Sequence, residues 1–198
     1  MSYSIIPTEL LESGVSYHRP TPTAPLRVSM DSSAMEVMTD LKQVAASTIG
    51  PESSVEEANT KMKLRGVRML LVVDVDDTIL GLITATDVLG EKPMQYLNTH
   101  GGQHKDIKVK NIMTPQSQIE VLLIRDVSQA SVGDVVETLK KVGHQHAVVV
   151  DNQGPNNART IRGIFSLNQI ARQLGISIVN YEVPHTLSEI ANYRSKQK

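Results

Sequence analysis

The chain has 198 residues, of which 40% are apolar, and a formal net charge of −1. This balance is typical of a globular protein and gives no general attraction for nucleic acid or for an anionic membrane. The absence of Cys excludes disulfides and thiolate catalysis, and the absence of Trp disfavours a stacking surface for single-stranded nucleic acid. No apolar run approaches the roughly 20 residues of a membrane span, and the N-terminus lacks a signal-peptide pattern, so we expect a cytoplasmic protein.

The first predicted folded unit spans residues 31–90 and follows an N-terminal extension, residues 1–30, with a proline-rich stretch. Its helix begins at Ser54, where Glu57 completes a capping box, and it ends at Gly66. The unit's other predicted elements are a weak strand at Val44 to Ala46, strands at residues 67–74 and 79–84, and a short helix from about Thr86.

A linker, residues 91–110, leads to a second predicted unit at residues 111–175 with the same order of elements. Its helix begins at Ser131 and ends at Gly143. The other predicted elements are strands at residues 119–124, 144–151 and 161–166 and a short helix from about Leu167. Residues 176–198 predict a short amphipathic helix with a basic tail.

The two units are copies of one pattern, because the same motifs recur in the same order at nearly constant spacing. The matched pairs are Met38 and Met113 at 75 residues, Gly66 and Gly143 at 77, Val72 and Val149 at 77, and Gly81 and Gly163 at 82. The five extra residues fall in the polar turn between Asn152 and Thr160. A unit of about 60 residues buries little core alone, so the two copies are expected to pack sheet to sheet.

Each copy resembles a CBS domain, through a Met-Thr start, a capped helix ending in Gly, a Val-Val-Asp strand and a Gly-x-x-Ser/Thr segment. The resemblance covers roughly residues 31–175. It implies an α+β fold in which two CBS repeats, β-α-β-β-α each, pack as a pseudo-twofold, disc-like module of the stand-alone bacterial type. It also implies a homodimer with a regulatory role, an adenosyl ligand such as AMP, ADP, ATP or S-adenosylmethionine, and no required cofactor; an unidentified protein partner is left open.

In the family the Ser/Thr-x-x-Asp segment contacts the ribose, and copy one keeps it between Thr84 and Asp87. A carboxylate can accept hydrogen bonds from both vicinal hydroxyls of a ribose. The alternative is that Asp87 only caps the following helix. The resemblance draws the rest of this pocket from copy two: Ser117, Leu122, Gly143 and His144. For His144 the alternative is an ordinary histidine at the start of a strand.

Copy two departs from the family pattern, because Ser166 is followed by Gln169 where the acid is expected. An amide holds ribose hydroxyls less firmly than a carboxylate does. We place Arg68 at the position equivalent to His144, where it suits a phosphate. The second site, with Arg68, Ser166 and Gln169, is therefore expected to be degenerate.

No catalytic motif is present, and His144 and His146 lack an evident third ligand for a metal. The sequence therefore predicts a regulatory sensor of adenine nucleotides without catalysis and without a metal. The alternative is a scaffold or dimerisation module with empty pockets, which the missing acid at Gln169 favours. An enzyme with a site between the repeats has no positive support in the sequence.

Overall fold

The computed structural model describes residues 28–154 and 158–175. The predictions for the proline-rich stretch and for the C-terminal amphipathic helix concern residues outside these ranges. Among the described residues, no helix is long and apolar enough to cross a membrane.

Two copies of one mixed α and β unit make up the described residues. The strands are β1 (Thr39–Asp40), β2 (Thr48–Ile49), β3 (Met69–Val73), β4 (Ile79–Thr84), β5 (Thr114–Pro115), β6 (Val121–Leu123), β7 (His146–Asp151) and β8 (Thr160–Ser166). The α-helices are α1 (Val55–Arg65), α2 (Ala85–Leu89), α3 (Lys92–His100), α4 (Val109–Ile112), α5 (Ile124–Val127), α6 (Val132–Val142) and α7 (Leu167–Gln173). Short 3₁₀ turns lie at Ala34–Glu36, His104–Asp106 and Gln116–Gln118.

The two long helices begin and end where the sequence predicts. The Ser54 side chain accepts a hydrogen bond from the Glu57 amide at 3.1 Å, and the Glu57 carboxylate accepts one from the Ser54 amide at 2.7 Å. Helix α6 has the same reciprocal cap at Ser131. Both helices end at a glycine in the left-handed conformation, Gly66 with φ 65° and Gly143 with φ 70°. The sequence predicts these helix ends because a cap depends only on residues within one helical turn.

Each sheet has four strands, and the first strand of each copy joins the sheet of the other. The strand orders are β2-β3-β4-β5 and β1-β8-β7-β6. Strand β1 pairs antiparallel with β8, so that Asp40 faces Gly163, and β5 pairs with β4 in the same way, so that Pro115 faces Gly81. This reciprocal exchange ties the two repeats together and generates the predicted pseudo-twofold arrangement.

The inner faces of the two sheets pack against each other, as the sequence predicts. Met69, Leu71 and Val73 of β3 form the centre of this contact, and apolar side chains of β8 and of the segment after β1 pack on it. Each repeat has a further core between its sheet and its helices, in which Ile83 and Phe165 occupy equivalent positions and are fully buried. The result is one layered module with three apolar clusters.

An ion-pair network anchors β1 in the second sheet. The Arg162 guanidinium contacts both carboxylate oxygens of Asp40 and lies 3.7 Å from the buried Asp151 carboxylate. In the other sheet, Leu80 occupies the position of Arg162, and Pro115 of the exchanged strand β5 occupies that of Asp40. The two repeats therefore share a fold, but different interactions hold the exchanged strand in each sheet.

Three sequence predictions need correction. The strand predicted at Val44 to Ala46 lies instead at Thr48–Ile49, and residues 44–46 form no strand. The strand predicted at residues 119–124 is only Val121–Leu123, since Ile124 begins α5. The predicted linker contains α3, where Tyr96 and Leu97 pack on the core of repeat one. It is therefore part of the folded unit and not a simple connection.

The proposed equivalence of Arg68 and His144 is wrong by one residue. The Arg68 carbonyl accepts a hydrogen bond from the Ala85 amide, and the Gln145 carbonyl accepts the matching bond from the Leu167 amide. Arg68 is thus equivalent to Gln145, and His144 is equivalent to Val67. The strand register fixes this equivalence, because Met69 pairs with Thr84 as His146 pairs with Ser166.

Candidate functional site

A cavity of about 350 Å³ lies between the two repeats, beside the end of β4 and the start of β7. Its lining from the first sheet and α2 includes Leu82, Thr84 and Asp87, and its lining from repeat two comes from residues 118–120 and 143–146. This volume is at the lower end of the range for pockets that hold small molecules. Both repeats contribute walls, so a bound ligand would contact the two copies at once.

Asp87 is the buried acid of this cavity, with 8% of its surface exposed. Its Oδ2 accepts hydrogen bonds from the Thr84 amide at 2.7 Å and from the Thr84 hydroxyl at 2.8 Å. The Thr84 hydroxyl in turn accepts a bond from the Asp87 amide at 3.2 Å. The helix cap that the sequence allowed as an alternative is therefore present.

Asp134 shows what the same cap looks like without a cavity. Its Oδ2 accepts bonds from the Ser131 amide at 2.8 Å and the Ser131 hydroxyl at 2.7 Å, and it lies exposed at the start of α6. Hydrogen bonds from Ser131 lower the pKa of Asp134. Capping alone therefore explains Oδ2 of Asp87 but not its burial beside a cavity, and it leaves Oδ1 for another partner.

The partner of Asp87 Oδ1 is Lys92, a residue that was not among the predicted site residues. Its Nζ lies 2.6 Å from Oδ1 of Asp87 and 3.3 Å from the carbonyl oxygen of Ile112, and it lines the same cavity. Lys92 is the first residue of α3, so its position depends on the helix that the sequence interpretation treated as a linker. No local signal could have found this contact.

His146 is the half-buried histidine of the cavity, and it lies two residues after His144, the histidine that was predicted for the site. Burial, together with the nearby charge of Arg68, lowers its pKa to about 4, although the charge of Asp87 opposes the shift. His146 is therefore neutral at pH 7 and presents one donor and one acceptor nitrogen. His144 lines the cavity from an exposed position.

Four of the six residues predicted for the first site meet at this cavity: Thr84, Asp87, Gly143 and His144. Ser117 and Leu122 are not among its lining residues. Ser117 lies exposed in a 3₁₀ turn whose next residue, Gln118, does line the cavity, and Leu122 packs against the core of repeat two. The segment was correctly placed beside the cavity, but the side chains that reach it belong to residues 118–120.

The corner of repeat two that corresponds to Asp87 is closed by a different contact. The Gln169 carbonyl oxygen accepts a hydrogen bond from the Thr39 hydroxyl at 3.1 Å. Thr39 is equivalent to Thr114, which lines the cavity at the corner of repeat one. Ser166 begins α7 without a side-chain cap, and Arg68 lies exposed at the start of β3.

A second cavity of about 680 Å³ lies between the sheets at their hairpin-turn ends. Its walls are pairs of equivalent apolar residues from the two copies, among them Leu71 with Val148 and Val73 with Val150. It shares Val148 and Ile119 with the first cavity. Asp77 and Arg159, which are equivalent in the repeat, contribute its only charged side chains among the described residues.

Among residues 28–154 and 158–175, no group of three or more His, Cys, Asp or Glu side chains is placed to hold a metal ion. The polar groups at the first cavity are instead suited to hydrogen bonding with an organic ligand, because the Asp87 carboxylate, the Lys92 ammonium and the neutral imidazole of His146 line it together.

Comparison with known proteins places this fold and this site in context. Residues 34–93 match the family model described as CBS domain. The chain matches no curated protein sequence.

Two solved structures show the same fold. An uncharacterised conserved protein from Pyrococcus horikoshii is 22% identical, with a TM-score of 0.52, over 73% of this chain and 93% of its own. A CBS-domain-containing protein from Agrobacterium tumefaciens is 18% identical, also with a TM-score of 0.52, over 73% of this chain and 94% of its own. The family match covers repeat one, and the structural match extends over the pair. The sequence match to a CBS domain thus covers residues 34–93, and the fold over both repeats is similar to that of these two solved structures.

Proposed function

We propose that the chain is a non-catalytic regulatory module that binds an adenosyl ligand in the cavity between its repeats. The observation that carries this proposal is the position of Asp87, a buried carboxylate in a Thr-x-x-Asp segment that lines a cavity enclosed by both copies. The ligand class is what the family resemblance implies, and the cavity has a size and chemistry suitable for such a ligand.

The lining divides into a polar and an apolar part that match the two halves of a nucleoside. The apolar side chains of Leu82, Ile119 and Val148 can cover the faces of a purine ring. Oδ2 of Asp87 is engaged by Thr84, and Oδ1, which Lys92 contacts, has one further acceptor position for a ribose hydroxyl. The neutral imidazole of His146 can accept or donate a hydrogen bond to the base.

We further propose one such site per chain, in a cytoplasmic homodimer whose partner protein reads the ligand state. Gln169 offers a neutral amide that is already bonded to Thr39, which supports a single intact site. A ligand in the first cavity contacts both repeats and would therefore favour one relative arrangement of them.

The direct test compares Asp87→Ala with Asp134→Ala. Both variants lose the carboxylate half of an equivalent capping box, but only Asp87 lines the cavity. Calorimetric titration with AMP and with adenosine is expected to show binding weakened about 10- to 100-fold by Asp87→Ala, since a hydrogen-bonded charged acceptor is removed. Asp134→Ala is expected to bind as the wild type does; equal affinity in all three proteins would remove Asp87 from the site.

A scaffold module with empty pockets is the second candidate. It is favoured by the Thr39–Gln169 hydrogen bond and by the Lys92–Asp87 ion pair, because both engage the groups that a ribose would need. A ligand present at about 100 times its dissociation constant adds about 2.7 kcal/mol of stability. If AMP, ADP, ATP and S-adenosylmethionine at millimolar concentration all leave the melting temperature unchanged, the scaffold function is the correct one. The absence of catalysis is tested by a long incubation of the protein with each nucleotide, after which the nucleotide is expected to be chemically unchanged.

A further inference from the structure

The ion pair between Lys92 and Asp87 competes with the very contact that a ribose needs. A carboxylate has about four lone-pair positions, two on each oxygen. The Thr84 amide and hydroxyl occupy both positions on Oδ2, and Lys92 Nζ occupies one on Oδ1 at 2.6 Å. One acceptor position therefore remains, whereas a vicinal diol presents two donors.

A diol can bind Asp87 with both hydroxyls only if the ammonium of Lys92 leaves Oδ1. Lys92 is able to do so, because its side chain is 44% exposed and is attached at the first residue of α3. Its other contact in the structure is a 3.3 Å hydrogen bond to the Ile112 carbonyl oxygen, which can be replaced by water. Asp87, in contrast, is buried and fixed by its cap.

A displaced ammonium would remain at the same cavity without an anionic partner. Lys92 is the only Lys or Arg among the described residues that line the cavity, and Glu120 is the only acid there besides Asp87. Glu120 lies exposed, at the opposite repeat. An anionic group on the ligand, close to the diol, would give Lys92 a new partner.

We infer that Lys92 determines the ligand class of this site by exchanging Asp87 for an anionic group of the ligand. A neutral nucleoside must displace Lys92 without compensation, whereas a nucleoside monophosphate replaces one ion pair with another. The site thus selects a ligand that combines a vicinal diol with a nearby anion.

This inference rests on the proposed function, and its test measures selectivity and not binding alone. Adenosine and AMP are titrated calorimetrically, at low ionic strength, into the wild type and into Lys92→Met, Lys92→Gln and Lys92→Arg. Lys110→Met is the matched control, because Lys110 forms an exposed ion pair with Glu52 and does not line the cavity. Lys92→Gln keeps a hydrogen-bond donor for Ile112 without the charge, which separates the structural contact from the electrostatic one.

The wild type is expected to bind AMP about tenfold more tightly than adenosine. In Lys92→Met and Lys92→Gln this preference is expected to fall to about twofold or less, and adenosine itself is expected to bind a few-fold more tightly because its competitor is gone. Lys92→Arg and Lys110→Met are expected to keep the preference. An unchanged preference in Lys92→Met overturns the role of Lys92, whereas absence of all binding to the wild type overturns the proposed function.

Discussion

The two corners of the molecule, Thr84–Asp87 in repeat one and Ser166–Gln169 in repeat two, occupy equivalent places at the end of a strand and the start of a helix but differ in chemistry. Asp87 has a carboxylate that Thr84 and Lys92 satisfy. Gln169 has a neutral amide that needs only the Thr39 hydroxyl, and Leu174, at the position equivalent to Lys92, packs on the core of its repeat. A duplicated fold therefore preserves the place of a site without preserving the site.

The charge at one corner and its absence at the other follow from electrostatics. A buried carboxylate needs a cation or several donors, so an acid at residue 87 goes together with Lys92. An amide needs neither, so an apolar residue is tolerated at 174. Repeat one has the charged pair Asp87 and Lys92, whereas repeat two has the uncharged residues Gln169 and Leu174 at the equivalent positions. This difference makes the module chemically asymmetric.

Removal of a core side chain from either copy is expected to have the largest effect and tests whether the two repeats fold as one unit. Ile83→Ala and Phe165→Ala each leave a cavity at a fully buried, equivalent position, at a cost of about 2–5 kcal/mol. Because β1 and β5 are exchanged between the sheets, each variant is expected to unfold in one transition with a lower midpoint. Urea unfolding followed by circular dichroism measures this; two separate transitions, only one of them shifted, would show independent repeats.

Arg162→Leu places in repeat two the residue that repeat one has at the equivalent position. The change leaves the carboxylates of Asp40 and the buried Asp151 without their guanidinium, so we expect a loss of about 2–4 kcal/mol of unfolding free energy. Arg125→Leu is the matched control, because Arg125 and its neighbour Asp126 are both highly exposed. A loss no larger than in this control would mean that the network does not anchor β1.

His146→Met also introduces into repeat two the residue that repeat one has at the equivalent position. His146 is the first residue of β7, and Met69 is the first residue of β3. The folded-state pKa of His146 is about 4, below its ordinary value of 6.5, so the unfolded chain binds more protons between these two values. The wild type should therefore lose stability as the pH falls from about 6.5 to about 4, by about 1–3 kcal/mol from this residue. Denaturant titrations at pH 7 and pH 4.5 should show a smaller loss for His146→Met; equal losses would contradict the low pKa.

The sequence was sufficient where a structure depends on neighbouring residues. Ser54, Gly66, Ser131 and Gly143 set the limits of the two long helices, and these were predicted because capping is local. The repeat also predicted the paired sheets, since two small units with apolar strands must bury their faces together. The Thr84–Asp87 segment was expected at a pocket from the family resemblance, and it lines the first cavity.

Features that depend on distant contacts were missed. Strand β2 exists only because Thr48 and Ile49 pair in parallel with β3, and neither residue has a strong strand pattern around it. Lys92 reaches Asp87 only because α3 folds back on repeat one. Leu122 was expected at the cavity, but alternation along β6 turns its side chain to the core, and the register of Arg68 was misjudged by one residue.

The central claim, an asymmetric pair with one intact site, is tested most directly by the stoichiometry of AMP binding. Calorimetric titration of the wild type is expected to give one AMP per chain, and no second, weaker phase, because only Asp87 offers a carboxylate to the ribose. Asp87→Ala is expected to weaken this single event, while Gln169→Ala leaves it unchanged. Two AMP molecules per chain, or a binding event that depends on Gln169 and not on Asp87, would contradict the account.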